Sequence, residues 1–239
     1  MLHILGKPIS LLVFDMAGTI IQEQGFVYKT MFRVLRSMDC AVDVKDVSRW
    51  KGRGKQEVLS EVLTRTYPIE HREKMVAVAS ERLHERLKAE YTRDNISMIR
   101  PHTVNTLQRL RHRGVKVALN TGYPRDIQEQ IMNELNLKDY VDAYVSSDCV
   151  LNSRPHPAMI HRLMDELNIP NVAHVGKVGD TVIDLQEGRN AGCGLVLGVL
   201  SGGTPIEDLT PYSHAVLPDI TEIFTSQVLF TKSLPIVRK

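Results

Sequence analysis

Two aspartates of this 239-residue chain follow segments that are predicted to be strands. Asp15 follows residues 11–14 (LLVF), and Asp180 lies in a Gly-Asp-Thr segment that is followed one helical turn later by Asp184. Paired carboxylates repel one another unless a cation lies between them, and Mg²⁺ prefers a few carboxylates together with water. An aspartate in such a position can also attack phosphorus and form an aspartyl-phosphate, provided that a cation neutralises the phosphoryl charge. The pair therefore predicts a Mg²⁺ site with phosphoryl-transfer chemistry.

A threonine and an arginine complete a set that could hold a phosphoryl group. Thr121 and the backbone N–H groups of the turn at Gly122 can donate hydrogen bonds to phosphoryl oxygens. Arg154 is the candidate for a fixed cation, in a loop just before a helix that Pro155 and Pro157 help to start. Each residue alone is commonplace, and only their order behind successive apolar runs points to a site.

The elements that must position these residues are short apolar strands alternating with helices. Strands are predicted at residues 11–14, 115–119, 141–145, 172–175, 195–199 and 215–217, and helices at 104–112, 125–135, 157–167 and 184–191. This alternation indicates an α/β fold, a doubly wound parallel sheet with helices on both faces. Ligands bind at the carboxyl ends of the strands of such sheets, where Asp15, Thr121 and Asp180 are expected.

Residues 23–99 interrupt the alternation with helical patterns and no convincing strand. Helices are predicted at 28–38, 56–66 and 70–91, and the last carries the mixed charges typical of a solvated face. We interpret this segment as a helical cap domain inserted after the first strand, with residues 1–22 and 100–239 as the α/β core. The tail, residues 225–239, shows no clear periodicity and is not assigned.

The composition excludes several classes of protein. Lys and Arg total 30 against 28 Asp and Glu, and this near-neutral balance argues against a dedicated nucleic-acid-binding protein. No apolar run is long enough to span a bilayer and the N-terminus lacks the pattern of a secretory signal, so we expect no membrane partner and a cytoplasmic location. The three cysteines match no metal-binding spacing.

Three segments together resemble the successive motifs of the haloacid dehalogenase superfamily of hydrolases. They are residues 15–19 (DMAGT), 120–123 (NTGY) and 178–184 (VGDTVID). The resemblance extends over about 10–14 and 101–224, with the helical insertion in the place of that family's cap. Most phosphatases of the superfamily carry a second aspartate where this chain has Ala17, and a lysine where it has Arg154. Both departures resemble the phosphonoacetaldehyde hydrolase (phosphonatase) branch.

The alanine has a chemical meaning under this resemblance. A phosphate ester releases an alkoxide that a carboxylic acid must protonate, which Ala17 cannot do, although its backbone carbonyl can still bind Mg²⁺. Cleavage of a carbon–phosphorus bond releases a carbanion instead. A protonated imine between a lysine and the neighbouring aldehyde would accept those electrons, and the resemblance points to Lys55, three residues after Gly52.

One position departs from that branch, in which a histidine follows the imine-forming lysine by three residues. This chain has Val58 there. Either Glu57, or a histidine such as His71 or His84 brought in by folding, replaces it, or the protein has left that chemistry.

The resemblance therefore implies a Mg²⁺-dependent hydrolase of a small phosphonate, phosphonoacetaldehyde or an analogue, and suggests a homodimer. The resemblance implies that Asp15 is the nucleophile and that Mg²⁺ is bound by Asp15, the Ala17 carbonyl, Asp180 and Asp184, although Asp184 could instead orient Arg154. It implies that Thr121 and Arg154 bind the phosphoryl group and that Lys55 forms the imine. The residues implied to contact substrate are Arg53, Gly122 and Tyr123. Two alternatives stay open: a phosphatase of a small phosphate monoester, and a non-catalytic protein that binds a phosphorylated ligand.

Overall fold

The computed structural model describes residues 2–22, 25–50 and 55–226, without the side chain of Ser48. Its strands are β1 (Leu2–Ile4), β2 (Lys7–Ile9), β3 (Leu11–Asp15), β4 (Ile21–Gln22), β5 (Ser97–Met98), β6 (Lys116–Thr121), β7 (Ala143–Ser146), β8 (Val175–Gly179), β9 (Leu195–Val199) and β10 (Ala215–Leu217). Its α-helices are α1 (Phe26–Arg36), α2 (Val44–Trp50), α3 (Lys55–Thr66), α4 (Ile69–Glu90), α5 (Thr103–His112), α6 (Arg125–Glu134), α7 (Ala158–Glu166), α8 (Val182–Ala191) and α9 (Ile206–Leu209). None of these helices combines the length and the apolar character that crossing a membrane requires.

Six parallel strands form the central sheet, in the order β10-β9-β8-β3-β6-β7. Along β3, Leu12 and Phe14 pack into an apolar cluster with α5 and α6 on one face, while Leu11 and Val13 pack into a second cluster with α7 and α8 on the other. Covered on both faces, every residue of β3 is buried, as a continuous apolar run predicts. The predicted α/β class, a doubly wound parallel sheet with a helical insertion after its first strand, is confirmed.

The predicted strand at 172–175 is wrong in its position. Val172–His174 form a 3₁₀ turn, because the Asn171 side chain accepts a hydrogen bond from Ala173 N–H at 2.9 Å, and β8 begins only at Val175. A lysine, Lys177, stands in the middle of β8 and breaks the apolar run by which the other strands are recognised. The short hairpin formed by β1 and β2 also escaped the prediction.

The helical insertion, α1 to α4, leaves and rejoins the core through two paired segments. β4 and β5 run antiparallel, with Ile21 opposite Met98 and Gln22 opposite Ser97. The prediction that residues 23–99 contain no strand is therefore wrong for β5, since two residues are too few to show an alternating pattern. Helix α2 was likewise not predicted.

Candidate active site

Three buried aspartates meet at the carboxyl edge of the sheet. Asp15 ends β3, Asp180 directly follows the neighbouring strand β8, and Asp184 lies in the first turn of α8. One carboxylate oxygen from each lies within 4.8 Å of the others, and none of the three residues is more than 5% exposed. The order of the strands thus brings together the three carboxylates that the sequence singled out.

Two of these carboxyl groups resist ionisation. Burial, together with the negative charge of Asp184, raises the pKa of Asp15 from 3.8 to about 6. Burial and the charges of Asp15 and Asp184 raise the pKa of Asp180 well above its usual range. A divalent cation among the three would relieve this repulsion.

Arg154 joins two of the carboxylates. Its Nη1 donates a hydrogen bond to Asp15 Oδ1 at 2.8 Å and also contacts Asp184 Oδ1. Burial alone would lower the pKa of the guanidinium, but Asp184 and Asp15 raise that pKa well above its usual value. Burial likewise opposes ionisation of Asp184, whereas Arg154 and Lys177 bring the pKa of this carboxyl below its usual value. A permanent positive charge therefore lies beside Asp15.

Glycines hold the Asp180 carboxylate in place. A Cβ atom added at Gly18 would lie 2.6 Å from Asp180 Oδ2, and one added at Gly202 only 1.7 Å from it, so neither position has room for a side chain. The Thr19 hydroxyl donates to Asp180 Oδ1 at 3.0 Å. The loops after β3 and β9 thus fix the orientation of Asp180 between them.

A cavity of about 330 Å³ opens above the three carboxylates, between the core and the helical insertion. Each predicted site residue within the described ranges lines it: Asp15, Ala17, Lys55, Thr121, Gly122, Tyr123, Arg154, Asp180 and Asp184. Arg53, predicted to contact substrate, lies outside the described residues.

Lys55 reaches the cavity from the insertion. Its Nζ donates to the Gly122 carbonyl at 2.7 Å and lies 4.3 Å from the centre of the Tyr123 ring. A Cβ atom placed on Gly122 would be 3.8 Å from Lys55 Nζ and 3.4 Å from Arg154 Nη2. The amine and the guanidinium therefore approach the same glycine, at the turn that follows β6.

The family of the chain follows from a comparison with known proteins. The sequence model of the family of haloacid dehalogenase-like hydrolases matches residues 12–197, which is most of the chain. The chain belongs to this hydrolase family. The phosphonoacetaldehyde hydrolase of Bacillus cereus is 38% identical over 118 residues, which are 48% of this chain and 45% of that protein. The chain thus matches less than half the length of this curated relative.

Solved structures show the same fold across most of the chain. A haloacid dehalogenase-like hydrolase from Bacteroides fragilis has a TM-score of 0.76 at 18% identity, with 90% of this chain and 99% of that one covered. A predicted phosphoglycolate phosphatase from Haemophilus somnus has a TM-score of 0.70 at 16% identity, with coverage of 90% and 96%. At such low identity these likenesses establish the fold alone.

The donor set of this haloacid dehalogenase-like hydrolase fits Mg²⁺. Besides the three aspartates, the buried Glu187 lies next to the site, and its two oxygens accept hydrogen bonds from Asn120 Nδ2 at 2.9 Å each. Within the described ranges, the cations that contact these four carboxylates are Arg154, whose side chain is largely buried, and Lys177, which is completely buried. With all four carboxyl groups ionised, one divalent cation would balance the two remaining negative charges, and hard carboxylate oxygens are the ligands that Mg²⁺ prefers.

Sequence reasoning assigned no role to Lys177, Asn120 or Glu187, although the structure places all three directly beneath the carboxylates. The available signal was a lysine inside an otherwise apolar strand, which requires buried partners. Of the residues considered as replacements at the Val58 position, only His84 lines a cavity near Lys55. That second cavity measures about 590 Å³ and shares Lys55, Gly122 and Ser153 with the first.

Proposed function

We propose that this protein is a Mg²⁺-dependent hydrolase that cleaves the carbon–phosphorus bond of a small phosphonate, phosphonoacetaldehyde or an analogue. The observation that carries the proposal is the Lys55 amine, which reaches over the Gly122 turn into the cavity that contains Asp15. Ala17, the position from which a carboxylic acid would protonate an alkoxide, lines the same cavity. The partial similarity to phosphonoacetaldehyde hydrolases supports the same assignment.

The phosphonate group would bind between Arg154 and Thr121. Tyr123 N–H donates to Thr121 Oγ1 at 3.2 Å, so the hydroxyl of Thr121 can use its proton for a phosphoryl oxygen. Arg154 binds a second oxygen while it stays in contact with Asp15, which aligns the carboxylate with phosphorus.

Mg²⁺ would be held by Asp15, the Ala17 carbonyl and Asp180, and it would neutralise the charge that otherwise keeps a carboxylate away from a phosphoryl group. Asp184 already accepts four contacts, from Arg154, Lys177, and both the N–H and the hydroxyl of Thr181. An ionised carboxylate offers about four lone-pair sites, so Asp184 would join the metal only by exchanging one partner.

The proposed reaction begins with the formation of an imine on Lys55. Lys55, counted with its ammonium proton, condenses with the aldehyde, which releases water and leaves a protonated imine. Asp15 attacks phosphorus, the carbon–phosphorus bond breaks, and its electron pair enters the imine to give an enamine. Protonation at carbon and addition of water release acetaldehyde and free Lys55. A second water hydrolyses the aspartyl-phosphate, which returns Asp15 and releases phosphate.

The second candidate is a phosphatase of a small phosphate monoester whose leaving group is protonated by water or by a residue of the insertion. It is favoured by Val58, which stands where the phosphonatase branch has a histidine and is completely buried in the apolar cluster that extends from the core into the insertion. No proton can be transferred from that position.

The deciding experiment measures phosphate release with Mg²⁺ from phosphonoacetaldehyde, beside phosphoglycolate, sugar phosphates and p-nitrophenyl phosphate. We expect release from the phosphonate, a loss of at least about 10³-fold in kcat for Lys55→Arg, and a covalent adduct on Lys55 after borohydride treatment. Lys74→Arg, on the exposed surface of α4, is the matched control and should stay within about twofold of the wild type. Phosphate from an ester alone, with no adduct, would establish the phosphatase instead.

A further inference from the structure

A lysine is completely buried beneath the candidate site. Lys177 lies in the middle of β8, and its Nζ is 2.5 Å from Asn120 Oδ1, 3.0 Å from Glu187 Oε2 and 3.5 Å from Asp184 Oδ1. Gly188 makes room for this arrangement, because a Cβ atom there would lie 2.7 Å from Lys177 Cβ. A charged side chain in such a place needs several partners at once.

Asn120 closes the arrangement into a ring. Its amide donates to both oxygens of Glu187 while its carbonyl oxygen accepts from Lys177. Asn120 is also the register partner of Asp15 between β6 and β3, so the ring is attached to the strand end that carries the nucleophile candidate. Three elements of the core, β6, β8 and α8, thereby hold the lysine in one orientation.

The ring acts on the site through Asp184. Lys177 and Arg154 both contact Asp184 Oδ1, while Thr181 N–H and its hydroxyl contact Oδ2. With both oxygens fixed, the Asp184 carboxylate sets where the shared Arg154 Nη1 lies relative to Asp15 Oδ1. The chain of contacts therefore leads from the buried ring to the attacking oxygen.

We propose that Lys177 is a positioning residue that fixes the Asp184 carboxylate, and through it the Arg154 guanidinium, against the attacking oxygen of Asp15. The proposal rests on the proposed phosphoryl transfer through Asp15, and it holds for a phosphonate and for an ester alike. The competing explanation is a buried ion pair that serves folding only. The two differ in what happens when both charges of the pair are removed together.

The test compares Lys177→Met, Glu187→Gln and the double variant Lys177→Met/Glu187→Gln. Each single change leaves a buried charge without its partner and should lower the melting temperature, whereas the double change removes the pair and should recover most of that loss. Glu187→Gln is the matched control because it breaks the same pair from the other side and leaves Lys177 in contact with Asp184.

Two functional readouts apply to each variant: kcat and KM on the hydrolysed substrate, and the affinity for inorganic phosphate with Mg²⁺, measured by calorimetry. We expect the double variant, even with its melting temperature largely recovered, to stay at least about 30-fold below wild type in kcat and tenfold below it in phosphate affinity. Glu187→Gln should lose clearly less of both. Phosphate affinity does not depend on carbon–phosphorus cleavage, so this test still applies if the protein does not hydrolyse the phosphonate.

The proposal is overturned if the double variant regains both its melting temperature and a kcat within threefold of wild type. Should it fail to fold, Lys177→Gln/Glu187→Gln repeats the test with amides that can still hydrogen-bond to Asn120. If that variant also fails to fold, Lys177 serves folding and the proposal is rejected.

Discussion

At the scale of single residues, the site contains carboxyl groups whose pKa values are shifted in opposite directions by their surroundings. Burial and neighbouring negative charge raise the pKa of Asp15 to about 6 and that of Asp180 well above its usual range, while Arg154 and Lys177 outweigh burial and lower the pKa of Asp184. A group with a raised pKa stabilises the folded protein below its unfolded pKa, and that contribution is lost as the pH rises through the folded value. A group with a lowered pKa stabilises the folded protein above its unfolded pKa, and that contribution is lost as the pH falls through the folded value.

Asp15→Asn should therefore stabilise the metal-free protein at pH 7.5 while abolishing turnover, because it removes a buried charge that the site repels. A shift from 3.8 to about 6 corresponds to about 1–3 kcal/mol in the free energy of unfolding. Urea denaturation in EDTA measures this gain, which should shrink as the pH falls from 6 towards 3.8 and vanish below 3.8, where the Asp15 carboxyl is protonated in both states.

Asp180→Asn and Asp184→Asn are the companions to that variant. Asp180→Asn should also stabilise the metal-free protein, whereas Asp184→Asn should destabilise it, since Asp184 is held ionised by two cations. Equal effects of all three variants at pH 7.5 would contradict the opposite directions of their pKa shifts.

At the scale of elements, the loop after β9 packs against Asp180, the residue that directly follows β8. Gly202 ends a 3₁₀ turn, Leu200–Gly202, and Ser201 Oγ donates to the Gly18 carbonyl at 2.6 Å, which ties this loop to the one after β3. Asp180 is confined between the two loops.

Gly202→Ala should lower the affinity for Mg²⁺ at least about tenfold, because the new methyl group would occupy the space of Asp180 Oδ2. Gly203→Ala is the control. Its φ of +83° makes a side chain cost about 1 kcal/mol in stability, yet a Cβ there meets no atom within 4 Å. Calorimetric titration with Mg²⁺ should separate the two, and unchanged binding by Gly202→Ala would show that Asp180 is not a ligand.

The sequence predicted those elements whose pattern is set by burial. Continuous apolar runs mark strands covered on both faces, so the strand ends at Asp15 and Thr121 could be expected at one edge of the sheet. The start of β8 was missed because Lys177 breaks its apolar run and Asn171 caps a turn that resembles a strand in composition. The contact of Arg154 with Asp15 could not be predicted, since it joins a loop residue to the end of a strand 139 residues away in the sequence.

At the scale of the whole molecule, the helical insertion and the core meet at an exposed polar contact, made of the ion pair between Lys88 and Asp126 and a contact of His84 with the same carboxylate. His84 Nε2 of α4 lies 2.6 Å from Asp126 Oδ2 of α6, and Lys88 Nζ lies 3.8 Å from the same oxygen. The cavity is lined from both sides of this junction, by Tyr28 and Lys55 of the insertion and by residues of the core. The pair therefore favours the arrangement in which the cavity is covered.

Asp126→Asn should raise KM by up to about fivefold with little change in the free energy of unfolding, since exposed ion pairs contribute about 0.2–1 kcal/mol. The wild-type KM should rise between low salt and 0.5 M NaCl, because salt screens both the binding of the anionic substrate and this pair, whereas the KM of the variant should rise less. Asp165→Asn, an exposed aspartate of α7, should behave like the wild type. A salt response of KM in Asp126→Asn equal to that of the wild type would place the effect elsewhere.

The pairing of β4 with β5 also bears on how this molecule could be rebuilt. Because Gln22 and Ser97 face each other across one antiparallel ribbon, everything between them is, topologically, a very long hairpin loop. A two-residue Asn-Gly turn is the usual way to close such a ribbon. The helical part therefore leaves and rejoins the core at a single ribbon, so exchanging it for that of another family member, or for a turn, would leave the register of every strand in the central sheet unchanged.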